Sequence, residues 1–198
     1  MKPITMIKSK VTPIDISNVD TDQIIPKQFL KSVQRSGFGN FLFYNWRFDE
    51  FGNKKPDFVL NNDSYKGREI LLTRANFGCG SSREHAVWAL ADFGFKAILS
   101  SSFADIFYNN CLKNGILPVT LEEPDIGYLF KQSAHEEVQI NLENQEVSFS
   151  QRTQHFHIDG TSKKKLLEGL DDIDITLQME AQIDEYERNV DTLTRLGK

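Results

Sequence analysis

The sequence predicts an α/β fold that has a parallel strand–helix–strand core and a C-terminal helical extension. Apolar residues make up 39% of the 198 residues, enough to fill the core of one domain. Three short apolar runs, 69–74, 97–101 and 116–121, alternate with helical patterns over 83–93 and 103–114. Short strands that alternate with helices predict parallel pairing through right-handed crossovers.

The part of the chain before this core is less regular. A strand is predicted over 11–16, followed by a polar run and then a loop or short helix over 28–35. Residues 36–68 form an irregular excursion that is rich in glycine, asparagine and aromatic residues. Its aromatic content argues against disorder. We expect these rings to pack either in the core or on a partner: Phe41, Phe43, Tyr44, Trp46 and Phe48.

Smaller elements are predicted after the core. A helix follows Pro124 and reaches about residue 133, and strands over 138–142 and 146–150 form a hairpin, with another short strand over 153–158. The extension, 161–198, begins with a helix over 163–168 that Thr161 or Ser162 caps and Gly169 ends; a final helix covers about 172–189. No internal repeat or linker divides the chain, so we predict a single domain over 1–198.

Composition excludes several classes of function. The net charge is −5 and the clearest basic cluster is only 163–165, so we expect no nucleic-acid partner. No apolar run approaches the roughly 20 residues that span a bilayer, and the N-terminus does not resemble a secretory signal. Two cysteines suggest a reducing compartment, and we predict a cytoplasmic protein. They are too few to hold an iron–sulfur cluster, so no metal is expected in this chain.

The most informative stretch lies between the strand at 69–74 and the helix at 83–93. Gly78 and Gly80 let the backbone approach a ligand closely, and the first amides of the helix are unpaired donors that favour negative charge. Arg83 adds a guanidinium fork that suits a carboxylate or phosphate. A capping box formed by Ser81 and Glu84 is the competing explanation, although it accounts for neither the glycines nor Arg83.

The run 76–86, NFGCGSSREHA, resembles the signature of the aconitase-type swivelling domain family. Residues 18–26 and 102–118 match the first loop of that family and its next helix and strand, in the same order. Residues 167–173 are similar to the small subunits of bacterial isopropylmalate dehydratases. The match covers nearly the whole chain, and it implies an aconitase-like swivelling β/β/α domain.

The resemblance also implies an activity and a partner. Enzymes of this kind are hydro-lyases, which remove water from a substrate and add it back in the other orientation; here they would interconvert 2- and 3-isopropylmalate in leucine biosynthesis. The four-iron four-sulfur cluster would lie in the isopropylmalate dehydratase large subunit, so that this chain is active only in complex with it. By this interpretation Cys79 and Cys111 are packing residues rather than cluster ligands.

The family's roles can be carried onto individual residues. The first serine of its Gly-Ser-Ser-Arg motif is the catalytic base, here Ser81. The resemblance implies that Ser82 and Arg83 bind a carboxylate of a small dicarboxylate substrate, and that Asp22 is an active-site aspartate. Without the resemblance, Asp22 would be interpreted as a loop or cap residue.

A further substrate-binding arginine is expected after Asp22. Arg35 matches it best, but the spacing is one residue longer than in aconitase, and Lys31 is a rival. The same segment is expected to set specificity. Phe29, Leu30 and Val33 could contact an apolar branch of the substrate. The alternative is that these three side chains pack in the core or in a subunit interface.

Three alternatives remain open. A small subunit of a related hydro-lyase, acting on citraconate, dimethylmalate or a homoaconitate-type substrate, would differ in what Lys31 to Arg35 place against the variable group. A non-catalytic assembly subunit would not need Ser81, Ser82, Arg83 and Asp22 intact. An anion-binding module would bind its ligand without a partner.

Overall fold

In the computed structural model, which describes residues 1–30 and 37–195, one seven-stranded sheet organises the chain in the order β4-β3-β2-β1-β5-β6-β7. The strands are β1 (Met6–Ile14), β2 (Ile70–Thr73), β3 (Ala97–Ser100), β4 (Leu117–Thr120), β5 (Glu137–Asn141), β6 (Glu146–Phe149) and β7 (Arg152–His155). The α-helices are α1 (Thr21–Ile24), α2 (Tyr44–Arg47), α3 (Glu84–Phe93), α4 (Asp105–Lys113), α5 (Glu123–Gln132), α6 (Gly160–Glu168), α7 (Asp172–Gln178) and α8 (Glu180–Arg195).

The parallel half of the sheet contains β1 to β4. Strand β2 pairs in parallel with β1 and β3, and β3 pairs in parallel with β4. Helices α3 and α4 connect β2 to β3 and β3 to β4. The predicted parallel strand–helix–strand core, and with it the α/β fold class, is confirmed. Every residue of β2 and β3 is buried, as expected for strands covered on both faces.

The other half is an antiparallel meander. Strand β1 is shared by both halves, because its N-terminal part pairs antiparallel with β5 while its C-terminal part pairs with β2. The predicted hairpin is β5–β6, and β7 adds to its outer edge. Strand β7 ends at His155 rather than continuing to residue 158. Strand β1 covers Met6–Ile14 rather than the predicted 11–16, because its N-terminal part is drawn into the sheet by pairing with β5.

Two hydrophobic cores cover the two faces of the sheet. Alternate residues of each strand point to opposite faces, so Ile70 and Leu72 join one core while Leu71 joins the other. The first core is closed by α5 and α6, through side chains such as Leu129 and Leu166. The second is closed by α3 and α4, and its helical contributors include Ala86, Leu90, Phe107 and Cys111.

The excursion packs within the chain itself. Phe38, Leu42 and Phe43 are fully buried in the second core, and the ring of Trp46 stacks on Phe43 at 5.3 Å. Its backbone forms short helical turns rather than strands. At Gly39 it lies so close to α3 that an added Cβ would come within 2.8 Å of a backbone nitrogen.

Among the five named rings, Phe41, Phe43 and Trp46 pack in the second core, as one of the two expectations had it. Tyr44 and Phe48 belong to neither described core, and packing of these rings on a partner stays a prediction.

The C-terminal extension is helical, but its details differ from the prediction. Helix α6 begins earlier than expected, and its cap is Asp159, whose carboxylate accepts from the Ser162 amide, so the predicted Thr161 or Ser162 cap is wrong. A carboxylate before the first helical residue captures this donor. Gly169 ends α6 at φ +71°, as predicted. The expected single final helix is divided at Met179 into α7 and α8.

None of the helices within 1–30 and 37–195 has the length and apolar character needed to cross a bilayer.

Candidate active site

The corner between β2 and α3 lies at the carboxyl ends of the parallel strands, where open α/β sheets bind ligands. Its backbone turns through left-handed conformations at Gly78 (φ +78°) and Gly80 (φ +89°). Gly78 also has no room for a side chain, because a Cβ there would lie 2.0 Å from Cγ of Phe107. The fold therefore requires glycine at these positions. Gly78 lets the corner pack against α4, and the positive φ values turn the backbone towards the 18–22 loop.

That loop binds the corner by a continuous set of backbone contacts. The Gly78 amide donates to the carbonyl of Val19 (2.8 Å), and Asp20 and Cys79 form an isolated parallel bridge. The Thr21 amide donates to the carbonyl of Cys79 (2.9 Å). These contacts place α1, which begins at Thr21, beside the start of α3, so that Asp22 reaches Arg83.

Arg83 and Asp22 form an ion pair at the centre of this junction. Nη1 of Arg83 lies 2.6 Å from Oδ1 of Asp22 and also donates to the carbonyl of Ile25 (3.1 Å). The Arg83 side chain is 8% exposed, whereas that of Asp22 is 52% exposed. The Arg83 hydrogen bond and charge, aided by the Lys27 amide, hold the pKa of Asp22 below its ordinary value. The carboxylate is therefore ionised at neutral pH.

This ion pair predicts a pH-dependent stability. Because the pKa of Asp22 is depressed by folding, its contribution is present above the ordinary pKa and is lost as pH falls through the lowered value. We expect Asp22→Asn to lower the free energy of unfolding by only about 1 kcal/mol at neutral pH, since water screens the half-exposed carboxylate.

Urea unfolding at several values between about pH 6 and about pH 3 measures this effect. The difference between wild type and Asp22→Asn should shrink as the medium becomes acidic. Asp57→Asn is the control, because Asp57 forms no ion pair with a described residue. A difference that does not depend on pH would contradict the assignment to the ion pair.

The two serines remain open to the solvent. Ser81 and Ser82 are both exposed, and neither hydroxyl bonds to another residue within the described ranges. The residue that precedes α3 is Arg83, which makes no side-chain capping bond, so the capping-box explanation of the serines is wrong. The backbone amides from Ser81 to His85 likewise donate to no described residue. Together with the helix dipole, these donors create positive potential around the hydroxyls.

A cleft of about 230 Å³ opens beside the serines. One wall is formed by the corner and includes Ser81, Ser82 and Arg83. The other is formed by residues 104–107, at the start of α4, and by Asn110 one turn further along that helix. The cleft is open to solvent and has both hydroxyl and apolar lining, which suits a small anion with an apolar substituent.

The structure brings four of the predicted site residues together, namely Asp22, Ser81, Ser82 and Arg83. Lys31 and Arg35 lie outside the described residues, as does Val33, and their predicted roles stay predictions. The two described apolar candidates pack inside the chain: the Phe29 ring stacks on Phe41 at 4.2 Å, and Leu30 contacts the second core.

Sequence reasoning missed Thr21. The residue is 2% exposed, and its hydroxyl donates to the carbonyl of Ser81 (2.9 Å). The sequence feature that could have identified Thr21 was its position next to Asp22, in the loop that matches the family. The ring of His85 packs against Phe38 and Trp88, at 5.3 and 4.6 Å.

The described part of the chain does not fit an iron–sulfur cluster. Cys111 is fully buried in the second core, and burial raises the pKa of its thiol well above the ordinary value. Burial and the nearby Asp20 charge raise the pKa of the Cys79 thiol. A cluster needs thiolates, which both environments disfavour. Within 1–30 and 37–195 there is also no group of three or more histidine, cysteine or acidic residues placed to hold a metal ion.

Comparisons with known proteins agree with this geometry. The family model of the aconitase C-terminal domain matches residues 1–124. The 3-isopropylmalate dehydratase small subunit of Geobacillus sp. (strain WCH70) is 55% identical over 193 residues, covering 95% of this chain and 97% of the relative. The corresponding small subunit of Bacillus cereus (strain AH820) is 50% identical over 190 residues, covering 96% and 98%.

A solved structure shows the same fold. The crystal structure of 3-isopropylmalate dehydratase from Methanocaldococcus jannaschii superimposes with a TM-score of 0.67 at 25% identity, covering 92% of this chain and 99% of that one. The aconitase-like fold expected from the sequence is thereby confirmed, and so is the resemblance on which it rested. The chain belongs to the aconitase C-terminal domain family, among the small subunits of 3-isopropylmalate dehydratase.

Proposed function

We propose that this chain is the small-subunit half of a 3-isopropylmalate dehydratase, a hydro-lyase that interconverts 2- and 3-isopropylmalate by dehydration and rehydration. The observation that supports this most directly is the exposed Ser81–Ser82 pair, surrounded by open backbone amides and adjacent to the Asp22–Arg83 ion pair. Capping does not explain these serines, and they line a cleft at the ligand-binding edge of the sheet.

Ser81 is the proposed base. In the dehydration direction the Ser81 alkoxide takes a proton from the substrate carbon and becomes a hydroxyl, and the electrons of that C–H bond form the C=C bond. The hydroxyl on the adjacent carbon leaves with the electrons of its C–O bond and takes a proton from solvent, so that it departs as water. A serine oxygen becomes a usable base only where positive potential stabilises its anion. The open amides at the start of α3 and the nearby Arg83 guanidinium provide that potential.

Ser82 and Arg83 are the proposed ligands of a substrate carboxylate. Among the described residues, Nη1 of Arg83 makes the contacts to Asp22 and Ile25, and we assign Nε and Nη2 to a substrate carboxylate. Asp22 is proposed to hold the guanidinium in place through its 2.6 Å ion pair with Nη1. Arg35 or Lys31 is the proposed further cationic contact to the substrate.

The remaining chemistry belongs to a partner. The four-iron four-sulfur cluster of the large subunit would supply the Lewis acid that polarises the leaving hydroxyl. The two thiols of this chain are unsuited to hold such a cluster, so the complete active site needs both subunits. We place the complex in the cytoplasm, and we propose a small dicarboxylate as its substrate.

The test is isopropylmalate dehydration by this chain mixed with its cluster-loaded large subunit, followed by absorbance of the unsaturated product. Turnover is expected only in the mixture, and each subunit alone is expected to be inactive. Citraconate, dimethylmalate and homoaconitate-type substrates are assayed in parallel. An assembled, cluster-loaded complex that prefers one of these would contradict the proposed substrate, and full activity of either subunit alone would contradict the division of the site.

A further inference from the structure

The position of Ser81 depends on very little besides its own backbone. The serine lies outside α3, its hydroxyl and its amide bond to no described residue, and the glycine before it has a left-handed φ. A residue in such a loop needs an external contact if its side chain is to keep one direction. Within the described ranges, such a contact comes from Thr21, whose hydroxyl donates a hydrogen bond to the backbone carbonyl of Ser81 at 2.9 Å.

Thr21 is itself rigidly held. It is 2% exposed, it is the first residue of α1, and its amide donates to the carbonyl of Cys79 (2.9 Å). Asp20 caps α1 through a capping box with Gln23, which fixes the backbone from which the Thr21 side chain projects. Thr21 therefore contacts the corner on both sides of Gly80, through its backbone at Cys79 and through its side chain at Ser81.

The direction of this hydrogen bond has a chemical consequence. In a trans peptide the carbonyl and the following amide point in opposite directions. Because the carbonyl of Ser81 points at Thr21, the amide of Ser82 points away from it. The Thr21 hydroxyl thus orients two groups together: the Cα–Cβ bond that carries the Ser81 hydroxyl, and an amide donor that contributes to the positive potential at the corner.

We propose that Thr21 is a positioning residue of the dehydration reaction, whose hydroxyl holds the Ser81–Ser82 peptide in the orientation in which Ser81 accepts the substrate proton. This inference rests on the proposed function of Ser81. Thr21 lines the same cleft, but it is only 2% exposed and its hydroxyl donates to the carbonyl of Ser81. We therefore expect its loss to affect the proton-transfer step more than substrate binding. Displacements of about 1 Å at a reacting group can cost about 100-fold in rate.

The test uses two matched pairs of variants in the assembled complex with the cluster-loaded large subunit. Thr21→Val removes the hydroxyl at constant shape, and Thr12→Val makes the same change at a buried threonine of β1 whose hydroxyl bonds to no described residue. Thr21→Ser and Thr21→Ala differ from each other by the hydroxyl alone. Assembly is measured by size-exclusion chromatography, so that kinetics are compared only between intact complexes.

We expect kcat to fall about 10- to 100-fold in Thr21→Val and Thr21→Ala, with a much smaller change in KM. Thr21→Ser should recover most of the lost kcat, and Thr12→Val should resemble wild type. The kinetic isotope effect, measured with substrate deuterated at the carbon that loses its proton, should rise in the slow variants because proton transfer becomes more rate-limiting.

Three results would overturn the proposal: wild-type kcat in Thr21→Val, equal kcat in Thr21→Ser and Thr21→Ala, or a loss expressed only in KM. If Thr21→Val does not assemble, the serine and alanine variants decide alone. Failure of the proposed function would give a different result, because the wild-type complex itself would not turn over isopropylmalate. The proposed role of Thr21 would then be wrong as well.

Discussion

Ser81→Ala is expected to lower isopropylmalate turnover by about 10²- to 10⁴-fold in a complex that still assembles, which is the range that a positioned proton-transfer group contributes. The loss should fall on kcat, because Ser81 is proposed to act on the proton in the transition state rather than to anchor the substrate. The fold should not suffer, since the hydroxyl is exposed and bonds to no other described residue.

Two comparisons make this result specific. Ser150→Ala removes an exposed serine hydroxyl at the turn between β6 and β7, far along the sheet from the corner, and should leave turnover unchanged. Ser82→Ala removes the adjacent hydroxyl and should raise KM, because Ser82 is proposed to bind a substrate carboxylate. Steady-state kinetics and size-exclusion chromatography measure both quantities. Unchanged kcat in Ser81→Ala would show that another group is the base.

Gly78→Ala is expected to destabilise the chain by about 2–4 kcal/mol, a large fraction of the stability of an ordinary domain. Two costs add at this position. The residue has a left-handed φ of +78°, and the added Cβ would lie 2.0 Å from a ring carbon of Phe107, which is itself buried in the second core. Either the ring or the corner must move, and a displaced corner would also carry the serines away from α1.

Gly52→Ala separates these two costs. Gly52 has a similar φ of +82°, but a Cβ there would meet no atom within 4 Å, so this variant has only the backbone cost of about 1 kcal/mol. Urea unfolding of both variants measures the difference, which reports the steric contact with Phe107. Equal destabilisation of the two variants would show that the corner relaxes freely and that Gly78 is needed only for its φ.

The elements that could be predicted correctly are those whose signal is local. The strands and helices between residues 69 and 121 have apolar periods and short loops that identify them without tertiary information. The excursion over 36–68 has no such period. Its helical turns form because Phe38, Leu42 and Phe43 enter the second core against α3, and a contact between segments distant in sequence leaves no local pattern.

Helix ends were predicted less well. The Thr161 or Ser162 cap was wrong because Asp159 competes for the same amide, and a carboxylate is at least as good an acceptor. The suggested capping box of Ser81 and Glu84 was wrong for a different reason. Gly78 and Gly80 turn the backbone so that α3 starts only after Arg83, leaving both serines outside the helix.

The sequence by itself determined the family and the identities of the candidate site residues, because the order and spacing of the motifs at 18–26, 76–86 and 102–118 are properties of the chain alone. Only the tertiary structure decided how these residues act on one another. The pairing of Asp22 with Arg83 and of Thr21 with Ser81 joins positions about 60 residues apart in sequence. Such contacts form only when β1 and β2 lie side by side and both loops emerge at the same edge of the sheet.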